Sequence, residues 1–127
     1  MFELTINDTV YQFNFGMGFM REMDKRMTKP IEGMPGKSKN VGLQYAIAGI
    51  IDGEVDTLAD VLNVANKGFS PRVTSALLDS YIDDESTDID QLFDDVLGFL
   101  KSANATKKTT VALLKAIEEE KAKQANQ

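Results

Sequence analysis

Residues 2–15 alternate between apolar and polar side chains, and this period of two constrains the fold more strongly than any other feature. The turn-forming pair Asn7-Asp8 divides the pattern in the middle. The apolar positions on either side of it are Phe2, Leu4, Ile6, Tyr11, Phe13 and Phe15. Alternation across such a turn predicts a β-hairpin with one buried face. Because an isolated hairpin is marginal in water, this one must pack on the segments that follow.

Periodic apolar residues downstream of the hairpin predict five or six helices. The clearest is opened by Asp88, which together with Gln91 has the form of a capping box. Its apolar positions follow the helical repeat: Ile89, Leu92, Phe93, Val96, Leu97 and Leu100. The other predicted helices are one that ends near Met27, one over Val41 to Ile51, one capped by Asp56, one beginning at Ser70-Pro71 and one capped by Thr106. We therefore expect an α+β fold, with an N-terminal β-hairpin followed by five or six helices in one predominantly helical domain.

The last predicted helix has only a sparse apolar stripe, formed by Val111, Leu114 and Ile117. Beyond it no large apolar residue remains, so the tail from Glu118 to Gln127 is expected to be solvated or frayed. A terminal helix on a polar connector can dock in its own chain or in the groove of a neighbouring copy. Exchange of this kind is a low-cost route to oligomers, and the stripe is therefore our candidate for self-association.

These features divide the chain into two parts. Residues 1–104 form the hairpin and the helical core, and residues 105–127 form the C-terminal helix and polar tail. The sequence leaves open whether the second part is exchanged between copies. Charge is also uneven, since the segment from Asp79 to Asp95 has eight acidic residues and no basic one. The segment from Arg21 to Lys39 instead has six basic residues and three acidic ones. Opposite fields at two ends of one small domain can steer copies together head to tail, and the alternative is two solvated faces that never meet.

Five of the six methionines lie in one short stretch, at positions Met17, Met20, Met23, Met27 and Met34. Methionine is flexible and polarizable, and proteins use it where they bind variable hydrophobic partners. The competing interpretation is core packing under the hairpin's aromatic residues, which is strongest for Met20 and Met23. The candidate residues for binding a hydrophobic partner are Met17, Met20, Met27 and Met34.

Residues Thr28 to Asn40 contain two prolines, two glycines and several polar residues, a composition that predicts a flexible loop. Met34 lies inside this segment, and Met27 comes just before it. A connection of about a dozen residues without regular structure is long enough to suggest a functional role or disorder.

The chain contains no histidine, cysteine or tryptophan. Nucleophilic catalysis by Ser–His or Cys–His systems needs residues that are absent here, so we expect no catalytic site and no enzymatic activity. The zero cysteine count also excludes disulfides and fits a reducing cytoplasm. A binding protein is favoured over an enzyme.

Two motifs resemble ligand sites and fail on a required glycine. Gly16-Met17-Gly18 lies between a strand and a helix, but Arg21 stands where a dinucleotide fingerprint needs its third glycine. The acids between Asp84 and Asp95 can be placed on a calcium loop, but Ile89 then occupies the position of the turn glycine. We therefore expect no metal and no cofactor.

The charge and the hydropathy pattern argue against two further classes of partner. A net charge of −6 at pH 7 does not provide the basic face that general nucleic-acid binding requires. The longest apolar run, residues 41–51, is far shorter than the ~20 residues of a membrane-spanning helix. The N-terminus also lacks the basic and apolar regions of a secretory signal. We expect a soluble protein without nucleic-acid or membrane partners.

The order of several segments carries a resemblance to a known family. Tyr11–Gly16 is followed by Gly18–Asp24, then by Asp52–Leu62, Ser70–Thr74 and Leu92–Leu97. Together these segments, up to about Ile117, resemble the tail assembly chaperones of siphophages of Gram-positive bacteria, and in particular their lactococcal members. No single segment is diagnostic, because the resemblance lies in their order.

The resemblance implies a chaperone that is made late in infection and is absent from the mature virion. Such a protein acts in the cytoplasm of the infected bacterial host, where it binds hydrophobic segments of the tape measure protein and keeps that protein soluble during tail assembly. The implied partners are the tape measure protein, further copies of the chain and, as in many members, a longer form made by ribosomal frameshifting. The alternative is a structural head–tail or neck component of the virion.

Overall fold

The computed structural model describes residues 1–126 and contains two β-hairpins and six helices within that range. The strands are β1 (Phe2–Ile6), β2 (Thr9–Phe13), β3 (Thr28–Pro30) and β4 (Ser38–Asn40). The helices are α1 (Met17–Asp24), α2 (Gly42–Ile51), α3 (Val55–Ala65), α4 (Ser75–Asp83), α5 (Ile89–Ser102) and α6 (Lys107–Ala125). The predicted α+β class, an N-terminal hairpin followed by a mainly helical domain, is confirmed.

The N-terminal hairpin forms as its alternation predicts. Strands β1 and β2 are antiparallel, with Phe2 opposite Phe13. The connecting residues Asn7 and Asp8 have φ angles of 51° and 64°. A two-residue loop with both φ angles positive matches the twist of the strands, and asparagine and aspartate tolerate this conformation. The buried aromatic face packs on α5, where the rings of Phe2 and Phe99 have centroids 5.2 Å apart.

Helix α2 lies at the centre of the helical domain and packs against α1, α3, α5 and α6. Most of its length is buried, which explains the nearly continuous apolar run in this segment. Its buried side chains and those of the elements around it form the core, which includes Phe13, Phe15, Phe19, Met23, Ile47, Ile50, Leu58, Leu62, Leu92, Val96 and Leu100. Met23 therefore fills the core.

The segment from Thr28 to Asn40 differs from the prediction of a flexible loop. It forms a second antiparallel hairpin, in which Thr28 pairs with Asn40 and Pro30 with Ser38. Its base is closed by a hydrogen bond from the Val41 amide to the Met27 carbonyl at 2.9 Å. Apart from the half-buried Ile31, every side chain in this segment is exposed. The pairing is carried by the backbone, so no apolar alternation marks it in the sequence.

The prediction that Ser70-Pro71 opens a helix is wrong. Helix α4 begins four residues later, at Ser75. The Thr74 hydroxyl oxygen is the cap, and it accepts a hydrogen bond from the Leu77 amide at 3.1 Å. The Ser70-Pro71 peptide is cis, and the residues around it have no regular structure.

Asn66 explains why this segment is held outside the helix. Its side chain is fully buried, and its Nδ2 atom donates to the carbonyls of Gln12 at 2.9 Å and Pro71 at 3.3 Å. Its Oδ1 atom accepts from the Val73 amide at 2.6 Å and from Arg72 at 2.9 Å. One amide side chain thus joins the N-terminal hairpin, the end of α3 and the α3–α4 connection.

The last two helices are joined by hydroxyl groups. Thr106 and Thr110 are fully buried, and their Oγ1 atoms lie 2.7 Å and 3.1 Å from the Leu100 carbonyl oxygen, to which they donate. These bonds satisfy a carbonyl at the end of α5 and set the direction of α6. Helix α6 docks on α2 and α5 of its own chain.

Beyond Ile117, helix α6 continues to Ala125 with exposed side chains. Residues 118–125 are therefore solvated, as expected, but they are helical and not frayed. Gln127, the end of the predicted tail, lies outside the described residues. Among residues 1–126, none of the helices is both long and apolar enough to cross a bilayer.

Candidate functional site

An open groove of about 550 Å³ lies between the end of α1, α2 and the start of α3. Its deeper lining is apolar and comes from Met23, Ala46 and Ala48. Met27 and Tyr45 stand at its opening, with 44% and 52% of their surface exposed. This α1–α2–α3 groove falls within the range of roughly 300–1,000 Å³ that is usual for ligand sites.

Local structure brings Met27 and Tyr45 together. Met27 follows the end of α1, and its carbonyl accepts the Val41 amide at the base of the second hairpin. Tyr45 lies in the first turn of α2 on the side opposite the buried residues Leu43 and Ile47. Single exposed apolar side chains are common, but two large ones that line the same groove form a surface that a partner can contact.

The rim of the groove is mainly acidic. The Arg26 guanidinium, after α1, forms an ion pair with Asp60 of α3. Asp52 and Glu54 lie in the turn between α2 and α3, and the Glu54 carboxylate accepts a hydrogen bond from the Thr57 hydroxyl at 3.0 Å. Within residues 1–126, neither Asp52 nor Glu54 forms an ion pair. The groove thus offers two carboxylates without a cation.

The structure distributes the four candidate methionines over different surfaces. Met27 alone lines the α1–α2–α3 groove. Met17 begins α1 and Met34 lies between β3 and β4, and they are 48% and 49% exposed. Met20 is half-buried against the core and borders a smaller cavity of about 270 Å³ near the start of α6. The four side chains therefore do not form one continuous patch.

Sequence reasoning missed Tyr45 as a candidate. It lies in the apolar run from Val41 to Ile51, where every large residue is expected in the core. A usable signal was present, because Asp52 comes seven residues, or about two turns, after Tyr45 and therefore marks the same side of the helix as polar. Which side of a buried helix remains open depends on its tertiary neighbours, and the sequence pattern does not specify these.

The candidate self-association residues lie on α6 and differ in accessibility. Val111 is 52% exposed, whereas Leu114 and Ile117 are half-buried. Leu113 faces inward and packs against the core. The stripe is thus only partly accessible in the single chain, and Val111 is its most open member.

A charged cluster joins α1 to the residues that follow α3. The Glu22 carboxylate forms ion pairs with the Lys67 ammonium group at 2.9 Å and with the Lys25 ammonium group at 3.0 Å. The hydrogen bond from Lys67, followed by that from Lys25, lowers the pKa of Glu22 from 4.5 to about 2. This cluster is a structural tie between helices.

Elsewhere the polar groups have ordinary structural roles. Within the described chain, every buried side-chain nitrogen and oxygen has a hydrogen-bond partner. The Asp84 carboxylate accepts from the Ser86 amide at 2.9 Å and the Ser86 hydroxyl at 2.7 Å. These bonds lower the pKa of Asp84 and form a turn in the segment that had been compared with a calcium loop.

Comparison with known protein families finds a match to the family described as phage tail assembly chaperone protein, TAC, over residues 3–115. The chain belongs to this family. The matched part of this tail assembly chaperone runs from β1 into α6 and includes the whole α1–α2–α3 groove. Comparisons with curated proteins and with solved structures find no match. Membership identifies tail proteins as the class of partner.

Proposed function

We propose that this tail assembly chaperone binds hydrophobic segments of the tape measure protein and keeps that protein soluble while the tail is assembled. The observation that supports this function is the apolar α1–α2–α3 groove, with Met27 and Tyr45 exposed at its opening. Covering apolar segments of a client removes their surface from water and so opposes aggregation. Methionine suits this task, because its flexible side chain adapts to different apolar shapes.

The remaining methionines extend the proposed contact surface. Met17 and Met34 offer exposed apolar side chains away from the groove, and Met20 borders the smaller cavity near α6. A long client chain passes over more of the surface than one groove covers. Contacts at Met17, Met20, Met27 and Met34 would then act on successive parts of the same client.

Several copies of the chaperone would act together on one extended client. Binding that is weak at each site gains avidity when the bound copies also contact each other. The apolar stripe Val111, Leu114 and Ile117 is our proposed contact between copies, either side by side or through exchange of residues 105–127. A longer frameshifted form of the chain would bind through the same contact.

We infer that the protein acts without catalysis or a cofactor in the cytoplasm of the infected host, with siphophages of Gram-positive bacteria as the proposed setting. It would leave the tail before the virion is complete. Mass spectrometry of purified particles tests this, because a departing chaperone is absent from them. Recovery of the chain in stoichiometric amounts would instead indicate the alternative, a structural head–tail or neck component.

Co-expression with the tape measure protein tests the groove directly. We expect the wild-type chain to keep the client in the soluble fraction, and Met27→Asp with Tyr45→Asp to abolish this effect. Both side chains are largely exposed, so the variant should fold, which circular dichroism and thermal melting will verify. The matched control is Val10→Asp with Val55→Asp, two apolar residues of 47% and 46% exposure outside the groove. Equal client solubility with both variants would remove the groove from the proposed function.

A further inference from the structure

We propose that the α1–α2–α3 groove selects apolar client segments that carry lysine or arginine beside their apolar residues. This inference rests on the proposed function and specifies the chemistry of the segment that is bound. It follows from the combination of an apolar lining and an acidic rim in one groove.

The rim of the groove carries more negative charge than positive charge. Three carboxylates line the groove, those of Asp52, Glu54 and Asp60, and Arg26 is its one cationic residue among residues 1–126. Arg26 is already paired with Asp60. Asp52 and Glu54 are both exposed and lie two residues apart in the α2–α3 turn. A cation on the client would therefore meet two carboxylates that are available to it.

The end of α2 strengthens this preference. Helix α2 ends at Ile51, immediately before Asp52, and the carbonyls of its last turn accept backbone amides of the turn, as Ala48 does from Asp52 and Gly49 from Glu54. The C-terminus of a helix carries partial negative charge and favours nearby cations. Its last turn contains no basic residue of its own. The helix end therefore adds only its electrostatic field, and the carboxylates of Asp52 and Glu54 provide the acceptors for a basic client side chain.

The apolar wall and the acidic rim are close enough to act on one segment. Asp52 caps the end of α2 and comes seven residues, or about two turns, after Tyr45, and both line the groove. The aliphatic stem of a lysine or arginine can lie along the Tyr45 ring while its charged end reaches Asp52 or Glu54. An acidic residue in the same place would be repelled. The groove thus discriminates between apolar segments by the charge that accompanies them.

Matched peptides test this selection. Three fluorescently labelled peptides share one apolar core and carry lysine, glutamine or glutamate beside it, and their affinities are measured by anisotropy. We expect the wild-type chain to bind the lysine peptide about tenfold more tightly than the glutamate peptide, the scale of one or two exposed ion pairs. The preference should weaken as salt is raised, because exposed charges are screened.

Isosteric variants identify the carboxylates. Asp52→Asn with Glu54→Gln should reduce the preference to about twofold or less and leave affinity for the glutamine peptide unchanged. The control Glu85→Gln with Asp94→Asn makes the same change in net charge at exposed positions outside the groove, and should keep the preference. Persistence of the preference in the Asp52/Glu54 variant would overturn the proposal.

The outcomes separate this inference from the function on which it rests. If the wild-type chain binds all three peptides equally, and Met27→Asp with Tyr45→Asp abolishes that binding, charge selection is wrong while the client groove stands. If no peptide binds, both proposals fail. If the Asp52/Glu54 variant changes the oligomer size in light scattering but not the peptide preference, the cation belongs to a second copy, and selection of the client is again wrong.

Discussion

The backbone carbonyl of Met23 lies so close to Gly42 that a Cβ atom at Gly42 would stand 2.0 Å from the Met23 oxygen. Only glycine permits this approach, because the atom in the way belongs to the backbone of α1 and cannot rotate aside. The contact sets how closely α1 packs on α2. It therefore also sets the width of the groove between these two helices.

Gly42→Ala should destabilise the protein by about 1–3 kcal/mol, the usual cost of inserting a methyl group into a closely packed contact. Urea denaturation measures the change in the free energy of unfolding. Gly18→Ala is the control, because Gly18 lies in α1 and a Cβ atom at this position would meet no atom within 4 Å. It should instead stabilise the protein by about 0.5–1 kcal/mol through helix propensity. Equal stability of Gly42→Ala and the wild type would show that the helices do not cross so closely.

Asn66→Ala should lower the free energy of unfolding by about 2–4 kcal/mol, because it leaves the buried Val73 amide and the Gln12 carbonyl without their partner. The matched control is Asn63→Ala. Asn63 is half-buried and accepts one hydrogen bond, from Arg72 at 3.0 Å, so its loss should cost less than about 1 kcal/mol. Chemical denaturation of both variants measures the difference. Similar losses of unfolding free energy in the two variants would show that the hydrogen bonds of Asn66 stabilise the fold no more than the single bond of Asn63.

Glu22→Gln should destabilise the protein at neutral pH and make little difference in strong acid. The lowered pKa means that the Glu22 charge stabilises the fold above about pH 4.5, and that this contribution is lost as the pH falls towards about 2. Unfolding free energies of the wild type and the variant, measured over this range, should converge. Glu85→Gln is the control at an exposed position without an ion pair among residues 1–126. If the difference in unfolding free energy between the wild type and Glu22→Gln stayed constant with pH, the Glu22 charge would not be the group that stabilises the fold.

Two truncations at the C-terminus should differ sharply in their effect on the stability of the fold. Removal of residues 118–127 should change the free energy of unfolding by less than about 0.5 kcal/mol, because residues 118–126 are exposed. Removal of residues 105–127 also deletes the buried Thr106 and Thr110 and should abolish cooperative unfolding. The chain that lacks only residues 118–127 keeps Val111, so light scattering of this variant tests self-association. An oligomer that is lost on removal of 118–127 would assign the contact to the polar end of α6.

Much of the fold could be predicted because local signals and tertiary packing agree. Asn7-Asp8 forms the predicted turn, and the Asp88 carboxylate accepts the Gln91 amide at 3.0 Å as the capping pattern indicates. The start of α4 could not be predicted, since Ser70-Pro71 is a good local helix start. The deciding contact comes from Asn66, whose hydrogen bonds hold Pro71 and Val73 in an irregular segment.

The candidate groove was predictable only in part. The concentration of methionine pointed to Met27, and the structure places that residue at the opening of the groove. The methionine pattern alone could not distinguish Met27 from Met23. Met23 comes four residues earlier on the same side of the helix and is buried in the core. Tyr45 and the acids of the α2–α3 turn join the groove only through tertiary packing.

The hydrogen bonds of Asn66 have a consequence for how the domain opens. Because one buried side chain holds both the Gln12 carbonyl and the Val73 amide, detachment of the α3–α4 connection gives water access to the same group that anchors the first hairpin. Regions linked in this way exchange their amide hydrogens through a shared opening and behave as one cooperative unit. Two stretches about sixty residues apart in the chain would then melt as a single piece.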